Sequence, residues 1–347
     1  MTQRKREVNY LDLIKVIACF MVVLQHGNSC YFEVENDTGY WFSANVIASI
    51  VRFAVQVFFM VTGVNLLDFY DRYDVKTYFK KRFTSILIPY LFWSIASIMV
   101  DALILTSGKN KLTVRYIVNG FINGKIVPIY WFFIQLMLIC ICIPVLAAVE
   151  KEKKLKTYQY IVAFTFVFNI LIPFLLMPVN DVINYNLQLP VISGYLFFAV
   201  AGYVFAKTDF TRIQRVFIYI FGIIGFLIQG IGTYCLTMKK GELDTTFGDN
   251  VGLPLVLYSL AMFLFLKQVG PAVLKNKYIK KVVGTISKYT YSIYLVHYFL
   301  IRVINITFRN VHYSLIYRLT APFAIIGIIV VAVYVARKIP FVAKILP

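Results

Sequence analysis

Three ionisable residues lie in the first apolar segment of the chain, where they could carry out proton transfer inside a membrane. Asp12, Lys15 and His26 interrupt a run that is otherwise mostly apolar or small. At 3.6 residues per turn, the eleven steps from Lys15 to His26 return to within roughly 20° of the same helix face. Cys19 and Val22 share that stripe. Because ionisable groups are costly in a bilayer, such a stripe is expected to face the bundle interior and mark a functional path. The alternative is a structural Asp12–Lys15 pair with a packed histidine.

The chain has only three histidines, and two of them are predicted within the membrane. A neutral imidazole can take the proton of a hydroxyl, as transfer of an acyl group to an alcohol requires. His26 and His297 are both predicted toward the outer ends of their helices, whereas His312 falls in a short outer loop. Tyr294 shares a helix face with His297, and a packed aromatic face is the alternative interpretation there.

Arg52 is the next unusual residue, in the apolar run SIVRFAVQVFFMVTG. Its predicted depth matches that of His26. A guanidinium keeps its charge and offers a planar set of donors to a carbonyl or an oxyanion. The alternative is a side chain that extends to the outer headgroups. The shared depth favours a role beside His26.

The composition is that of an integral membrane protein. Hydrophobic residues make up 60% of the 347 positions, whereas a soluble domain is roughly 45–50% apolar. At about 20 apolar residues per crossing, the sequence predicts an all-α bundle of about ten transmembrane helices. The helices are predicted to begin near Tyr10, Ala44, Phe83, Pro128, Tyr158, Val191, Arg215, Val251, Ser287 and Ser314.

The formal net charge of +19 comes from basic loops and does not indicate nucleic-acid binding. Most of the 35 Lys and Arg residues fall in alternate gaps between the predicted helices, as the positive-inside rule requires. Both termini are therefore predicted to be cytoplasmic. Residues 109–125 are basic on the predicted outer side and are interpreted as an amphipathic interfacial helix. The gaps are too short for a soluble core, so 1–347 is predicted to be a single membrane domain.

Several other residues have two interpretations. Lys80, Lys81 and Arg82 are a cytoplasmic anchor that could also attract an anionic nucleotide. Lys15 is predicted near the same end, about 16 Å from the first-helix histidine at 1.5 Å per residue, which is the order of length of an extended thioester arm. Trp131 opens a helix and is interpreted as part of an aromatic belt.

The five cysteines lack metal-binding spacing with histidine, and no metal is expected. Cys30 and Cys235 are both predicted near the outer face, where a disulfide is an open alternative.

Six segments, taken in order, resemble the membrane acyltransferase-3 family, whose members O-acylate surface glycans and related acceptors. They are YLDLIKVIACFMVVLQH, RFAVQVFFMVTG, KKRFTSILIPY, YWFFIQLMLICICIPVL, YLFFAVAGYVF and SKYTYSIYLVHYFL. Together they span nearly the whole chain. The likeness is closest to the stand-alone acetyltransferases of bacterial surface polysaccharides.

The family's first-helix signature is a basic residue, ten further residues and a histidine. It falls here on Lys15 and His26, with lysine where arginine is commoner. Arg52 matches the arginine ahead of the family's FF-x-x-S-G run, where Thr62 replaces the usual serine. Tyr130 stands where relatives often carry histidine. These departures leave the identity of the acceptor open.

The resemblance implies that His26 is the catalytic histidine and that Lys15 helps to hold acyl-CoA. The expected reaction transfers an acetyl group from cytosolic acetyl-CoA to a hydroxyl of a glycan or lipid-linked sugar at the outer side of the cell membrane. In this scheme Asp12 positions Lys15, and the basic triplet 80–82 binds the nucleotide. Arg52 stabilises the oxyanion or orients the acceptor.

The acceptor side is less defined. His297, Tyr294 and Trp131 are candidates either for the acceptor side or for supporting the reacting residues. Other aromatic and amide side chains are equally explicable as interface residues; these are Trp41, Asn45, Asn184 and Gln188.

Two other classes of function fit parts of the sequence. Ten helices with few charged core residues also suit an exporter of a polysaccharide or a small polar molecule. Such transporters often contain internal repeats and broken helices at matching positions, and the two halves of this chain show no convincing similarity. A subunit that only anchors partners would explain the hydrophobicity but not the ionisable stripe.

Overall fold

The computed structural model describes residues 7–34, 39–100, 113–122, 127–177 and 188–346. Within these ranges the regular secondary structure is helical, without a strand. The α-helices are α1 (Tyr10–Gly27), α2 (Tyr40–Val51), α3 (Ala54–Leu66), α4 (Val75–Arg82), α5 (Ile88–Val100), α6 (Val114–Ile122), α7 (Trp131–Ala147), α8 (Lys151–Thr165), α9 (Ile172–Leu176), α10 (Tyr195–Lys207), α11 (Arg212–Lys240), α12 (Leu253–Val273), α13 (Lys277–Ile286), α14 (Thr290–Thr307), α15 (Leu315–Ala336) and α16 (Val342–Ile345).

The predicted all-α membrane bundle is confirmed. In the described part of the chain, 8 helical stretches are long and apolar enough to cross a membrane. The other two predicted spans correspond to α10, which has only 13 residues, and to α14, which has 18 residues. The sequence of α14 includes His, Arg and Asn, which make it less apolar than a typical span.

Two helices begin earlier in the sequence than predicted, for the same reason. The third span begins at Val75 instead of near Phe83, and the fifth begins at Lys151 instead of near Tyr158. Both helices extend through Lys-rich turns. Lysine is a good helix former, whereas a count of apolar residues detects only the part of a helix that lies in the hydrocarbon region.

The second span contains a break that the sequence did not predict. Helix α2 ends at Val51 and α3 begins at Ala54. Arg52 and Phe53 occupy the turn between them. Arg52 therefore lies at a short interruption of the helix, and its side chain reaches the loop that precedes α12.

Helix α1 packs against α3, α12, α14 and α15. Its predicted stripe faces these neighbours. Asp12, Cys19 and Val22 have relative exposures of 5%, 1% and 4%. The sequence-based prediction that the stripe faces the bundle interior is confirmed for this helix.

Helices α3 and α10 approach each other closely because each presents a glycine. A Cβ atom on Gly63 would lie 1.7 Å from the carbonyl oxygen of Ala199, and one on Gly202 would lie 2.3 Å from that of Met60. Small residues allow helix backbones to meet in this way. The pair Thr62-Gly63 thus lies at a close helix contact.

Two sequence interpretations fall partly or wholly outside the described residues. Within the proposed interfacial segment 109–125 the structure describes only 113–122, which includes α6. Asn184 also lies outside the described ranges.

Candidate functional site

His26 lies in the last turn of α1, a helix whose start is fixed by a capping box. The Asn9 side chain accepts hydrogen bonds from the backbone of Leu11 and Asp12, at 3.0 and 3.4 Å. The Asp12 carboxylate accepts in return from the Asn9 backbone at 3.1 Å. Such reciprocal bonds satisfy donors that a helix start would leave unpaired. They fix the position of the helix that carries His26.

Helix α14 runs beside α1 in the same direction and brings the second membrane histidine to the first. The Cys19 thiol donates to the Thr290 carbonyl at 3.8 Å. Seven residues further along both helices, the rings of His26 and His297 have centroids 5.2 Å apart. Seven residues are about two helical turns, so the two helices stay in register between these contacts.

His297 is fully buried, with a relative exposure of 0%. Its Nδ1 lies 2.9 Å from the carbonyl oxygen of Ile293. Since a carbonyl can only accept, Nδ1 carries the proton and Nε2 has the lone pair. Among the described residues Nε2 has no hydrogen-bond partner. A buried basic nitrogen therefore lies close to the His26 ring.

One face of the His26 ring lines a cavity of about 280 Å³, which we call the His26 cavity. The residues that line it come from α1, α2, α3, α7, α14 and two loops. They are Val22, Gln25, His26, Tyr31, Phe32, Val51, Arg52, Ala54, Val55, Trp131, Thr245, Gly248, Asp249, Asn250 and Tyr294. The cavity thus contains four of the residues that the sequence singled out, His26, Arg52, Trp131 and Tyr294.

The Arg52 guanidinium lies in the His26 cavity and is bound to the protein through two nitrogens. Its Nη1 donates to the carbonyl of Gly248, and its Nη2 donates to the Tyr31 hydroxyl at 2.7 Å. The guanidinium carbon also lies 5.5 Å from the centre of the Tyr31 ring. Arg52 therefore does not extend to headgroups. Its contacts favour the orienting role over direct contact with an oxyanion.

Trp131 contacts the site instead of forming a membrane belt. Its ring centroid is 5.3 Å from that of Tyr195. The following residues, Phe132 and Phe133, have exposures of 6% and 0%. The interpretation of this run as an aromatic belt is wrong, because its rings pack inside the bundle.

Lys15 lines a second cavity of about 220 Å³, which we call the Lys15 cavity. Its Nζ lies 2.6 Å from the Asp12 carboxylate. Thr62 and Asn65 of α3 also line this cavity. The predicted pairing of Asp12 with Lys15 is present, and it holds the ammonium group at the edge of an internal space.

A third cavity of about 310 Å³, the Arg82 cavity, includes Arg82 and Ser85 in its lining. The Nε of Arg82 has no hydrogen-bond partner among the described residues. Lys80 and Lys81 are exposed and do not line this cavity. The Lys81 ammonium lies 3.9 Å from the centre of the Tyr73 ring. Of the predicted basic triplet, only Arg82 reaches an internal space.

The three cavities form a series. The Arg82 and Lys15 cavities share Thr62, Asn65, Leu136 and Tyr291. The Lys15 and His26 cavities share Tyr294. The Tyr294 hydroxyl donates to the carbonyl of Ile129 at 3.2 Å. A path from Arg82 toward His26 thus passes Lys15 and meets the ring of Tyr294.

The loop 241–252 is part of the site, and the sequence analysis missed it. Thr245, Gly248, Asp249 and Asn250 of this loop line the His26 cavity. A signal was present, since the run GELDTTFGDNVG combines acids, amides, hydroxyls and glycines between two apolar helices. Polar clusters of this kind also occur in ordinary turns, so the pattern alone did not indicate a site. Gln25, next to His26 on α1, also lines the cavity and was missed.

The remaining aromatic and amide candidates for the acceptor side that the structure describes do not line the His26 cavity, and two of them make hydrogen bonds inside the bundle. The Trp41 indole donates to the Tyr31 carbonyl at 3.0 Å, and the Asn45 amide donates to the Gly230 carbonyl at 2.9 Å. Gln188 is exposed and does not line the His26 cavity. Trp41 and Asn45 therefore hold the bundle together.

The described residues contain no group of three or more His, Cys, Asp or Glu side chains that could hold a metal ion. All five cysteines are free. Cys30 is buried and Cys235 is exposed, so the open alternative of a disulfide between them is not present in this structure.

Comparison with known proteins agrees with the resemblance found in the sequence. A family model described as an acyltransferase domain matches residues 8–337, from just before α1 to just after α15. No curated protein and no solved structure matches the chain significantly. The matched range contains His26, His297 and every cavity described above. The chain therefore belongs to the acyltransferase-3 family and is a membrane acyltransferase.

Proposed function

We propose that this protein transfers an acetyl group from cytosolic acetyl-CoA across the cell membrane of a bacterium. The acceptor is a hydroxyl of a cell-surface glycan or a lipid-linked sugar. The observation that carries the proposal is the series of three cavities, which begins at Arg82, passes Lys15 and ends at His26. A transporter would also need a path, but a path that ends on a histidine fits group transfer better.

The donor enters from the Arg82 end, which the positive-inside rule assigns to the cytosol. Arg82 lines the first cavity of this series and can bind a phosphate of CoA through its guanidinium group, since the donors of arginine form a planar fork that suits phosphate. Lys80 and Lys81 raise the local positive potential without contacting the ligand. The pantetheine arm then passes Lys15, and about 16 Å of helix rise separates Lys15 from His26.

His26 acts as the general base in the transfer. It takes the proton of the acceptor hydroxyl while that oxygen attacks the thioester carbonyl. The carbon–sulfur bond then breaks, the acetyl group stays on the acceptor oxygen, and the proton on His26 goes to the CoA thiolate. The same position allows His26 to carry the acetyl group transiently.

His297 positions His26. Its Nε2 lone pair faces a buried environment beside the His26 ring, and it can accept a hydrogen bond from a ring N–H of His26. Such a bond, formed when His26 turns a ring N–H toward Nε2 during the reaction, would fix the tautomer of His26 and stabilise the imidazolium that forms when the hydroxyl loses its proton. Histidine bases are commonly oriented in this way by a third group.

The test compares wild type with His26→Ala, both purified and reconstituted in lipid with labelled acetyl-CoA and de-O-acetylated envelope glycans. We expect acetyl transfer to fall by about 10²-fold or more, the usual contribution of a general base. His312→Ala is the matched control, because His312 lies in a loop where it contacts Glu33 at 3.3 Å. Full transfer by well-folded His26→Ala protein would contradict the mechanism. Solute flux without CoA release would support the transporter.

A further inference from the structure

The wall of the His26 cavity that belongs to loop 241–252 is chemically unlike the rest. Thr245, Asp249 and Asn250 supply a hydroxyl, a carboxylate and an amide. Among the described residues that line the cavity, Asp249 is the only acid. Apart from His26, the helices contribute mainly apolar and aromatic groups to the lining, including Trp131.

Hydrogen bonds at the start of loop 241–252, where it leaves α11, hold the loop in place. The Asp244 carboxylate accepts hydrogen bonds from the Lys240 ammonium and from the backbone of Thr246, the latter at 2.8 Å. The Asp244 backbone donates to the Thr237 hydroxyl at 3.1 Å. The bonds from Lys240 and Thr246 lower the pKa of Asp244 from 3.8 to about 2. A carboxyl group whose pKa is lower in the folded protein than in the unfolded chain stabilises the fold at pH values above the unfolded-state pKa. This stabilisation is lost as the pH falls through the folded-state pKa. The hydrogen bonds of the Asp244 carboxylate are therefore intact at neutral pH.

Two side chains of the broken second span fix the loop over the cavity. Arg52 donates to the Gly248 carbonyl, and the Gln56 amide donates to the Asn250 carbonyl at 2.9 Å. A Cβ atom on Gly248 would lie 1.8 Å from Nη1 of Arg52, so a larger residue there would force the guanidinium to shift. These bonds use backbone carbonyls on either side of Asp249. The side chains of Asp249 and Asn250 line the cavity. The Asn250 side chain is also hydrogen-bonded to Tyr195.

We propose that loop 241–252 is the acceptor-recognition element and that Asp249 selects acceptors with neighbouring hydroxyls, as in a carbohydrate. This inference rests on the proposed function and adds the residues that recognise the acceptor. A carboxylate has two oxygens that accept hydrogen bonds, and it can bind a pair of hydroxyls at once. The Asn250 amide both donates and accepts, and the Trp131 ring offers an apolar surface for a sugar face. Asp249 thereby holds the acceptor while a further hydroxyl meets His26.

The experiment uses the full-length protein in lipid, with labelled acetyl-CoA and two probe acceptors, methyl glucoside and 1-butanol. Methyl glucoside has neighbouring hydroxyls, and 1-butanol has one hydroxyl and no partner for Asp249. We expect Asp249→Ala to lower the ratio of kcat/KM for the glucoside to that for butanol about tenfold or more, since bonds to charged groups are strong. This decrease should come mainly from a higher KM for the glucoside. Asp249→Asn should keep part of the preference for the glucoside over butanol.

Glu242→Gln is the matched control, because Glu242 lies on the same loop, is exposed and does not line the cavity. It should leave the ratio unchanged. An unchanged ratio in Asp249→Ala, or a loss that falls on the KM for acetyl-CoA, would overturn the inference.

A second readout separates this inference from the proposed function. Binding of methyl glucoside is followed by quenching of tryptophan fluorescence, without acetyl-CoA. One outcome is that wild type binds the glucoside, Asp249→Ala binds it at least tenfold more weakly, and no variant transfers an acetyl group. In that case the loop assignment stands and the proposed acyl transfer fails. If wild type transfers acetyl groups and both its ratio and its binding are indifferent to Asp249, the acyl transfer stands and the loop assignment fails.

Discussion

His297 differs from His26 in that it lines none of the three cavities. It is buried, its Nδ1 proton is used by Ile293, and its Nε2 is left without a partner in the described part of the chain. An unpaired polar atom costs free energy in such a place, so its retention needs a reason. The neighbouring His26 ring supplies one, because a protonated imidazole there gains a hydrogen-bond acceptor.

We therefore predict that His297→Leu lowers kcat about tenfold or more and leaves the KM for acetyl-CoA within about twofold, because an orienting bond contributes on the order of 1–2 kcal/mol. His297→Gln offers an amide oxygen near the position of Nε2 and should retain more activity. Steady-state kinetics with both substrates tests this. Equal losses in the two variants, together with equal losses of thermal stability, would reduce His297 to a packing residue.

At the residue scale, the sequence predicted relations within one helix and missed relations between distant segments. Asp12, Lys15 and His26 share a stripe because helical periodicity alone places them there. The approach of Gly248 to Arg52 joins positions 196 residues apart, and no local pattern encodes it. His26 and His297 were expected at similar depths, but their contact depends on the packing of α14 against α1.

At the scale of elements, the contact of α3 with α10 fixes a helix that lines both the Lys15 cavity and the His26 cavity. Helix α3 supplies Thr62 and Asn65 to the Lys15 cavity and follows the turn that carries Arg52. Its glycine contact with α10 leaves no room for a side chain. Hydropathy located both helices, but it could not reveal how closely they pack or that the second span is broken at Arg52.

We predict that Gly63→Ala destabilises the protein by about 1–3 kcal/mol, the usual cost of overpacking, and lowers activity by displacing α3. Gly327→Ala is the matched control, because a Cβ at Gly327 of α15 meets nothing within 4 Å. That substitution should be neutral or stabilising, since alanine is the better helix former. Thermal unfolding in detergent measures both. Equal melting temperatures for the two variants would contradict the close contact.

At the scale of the whole molecule, the basic residues divide into those that set topology and those that meet a ligand. Sequence alone could predict the first group, because the positive-inside rule depends only on where lysines and arginines fall. It could not separate Arg82 from Lys80 and Lys81. Only the fold turns Arg82 toward an internal space and leaves its neighbours at the surface.

We expect Arg82→Gln to raise the KM for acetyl-CoA about tenfold or more, because a charged hydrogen bond to phosphate is lost. Lys80→Gln is the matched control with the same change in charge, and it should raise that KM only slightly and only at low salt. Initial rates at several acetyl-CoA concentrations compare the two. Equal effects would show that the triplet acts as a diffuse positive surface and not through a bound phosphate.

Tyr294 forms a shared wall between the Lys15 and His26 cavities and is itself only 4% exposed. Water-filled spaces on both sides would concentrate the transmembrane voltage across little more than this one ring. An acetyl group is neutral and would pass the ring without electrical work, so its transfer would not depend on the membrane potential. A succinyl group carries a carboxylate, and its passage would move charge through the field, worth about 2.3 kcal/mol per 100 mV. The voltage dependence of turnover would thus report the charge of the acyl group, while the ring keeps the membrane sealed to ions.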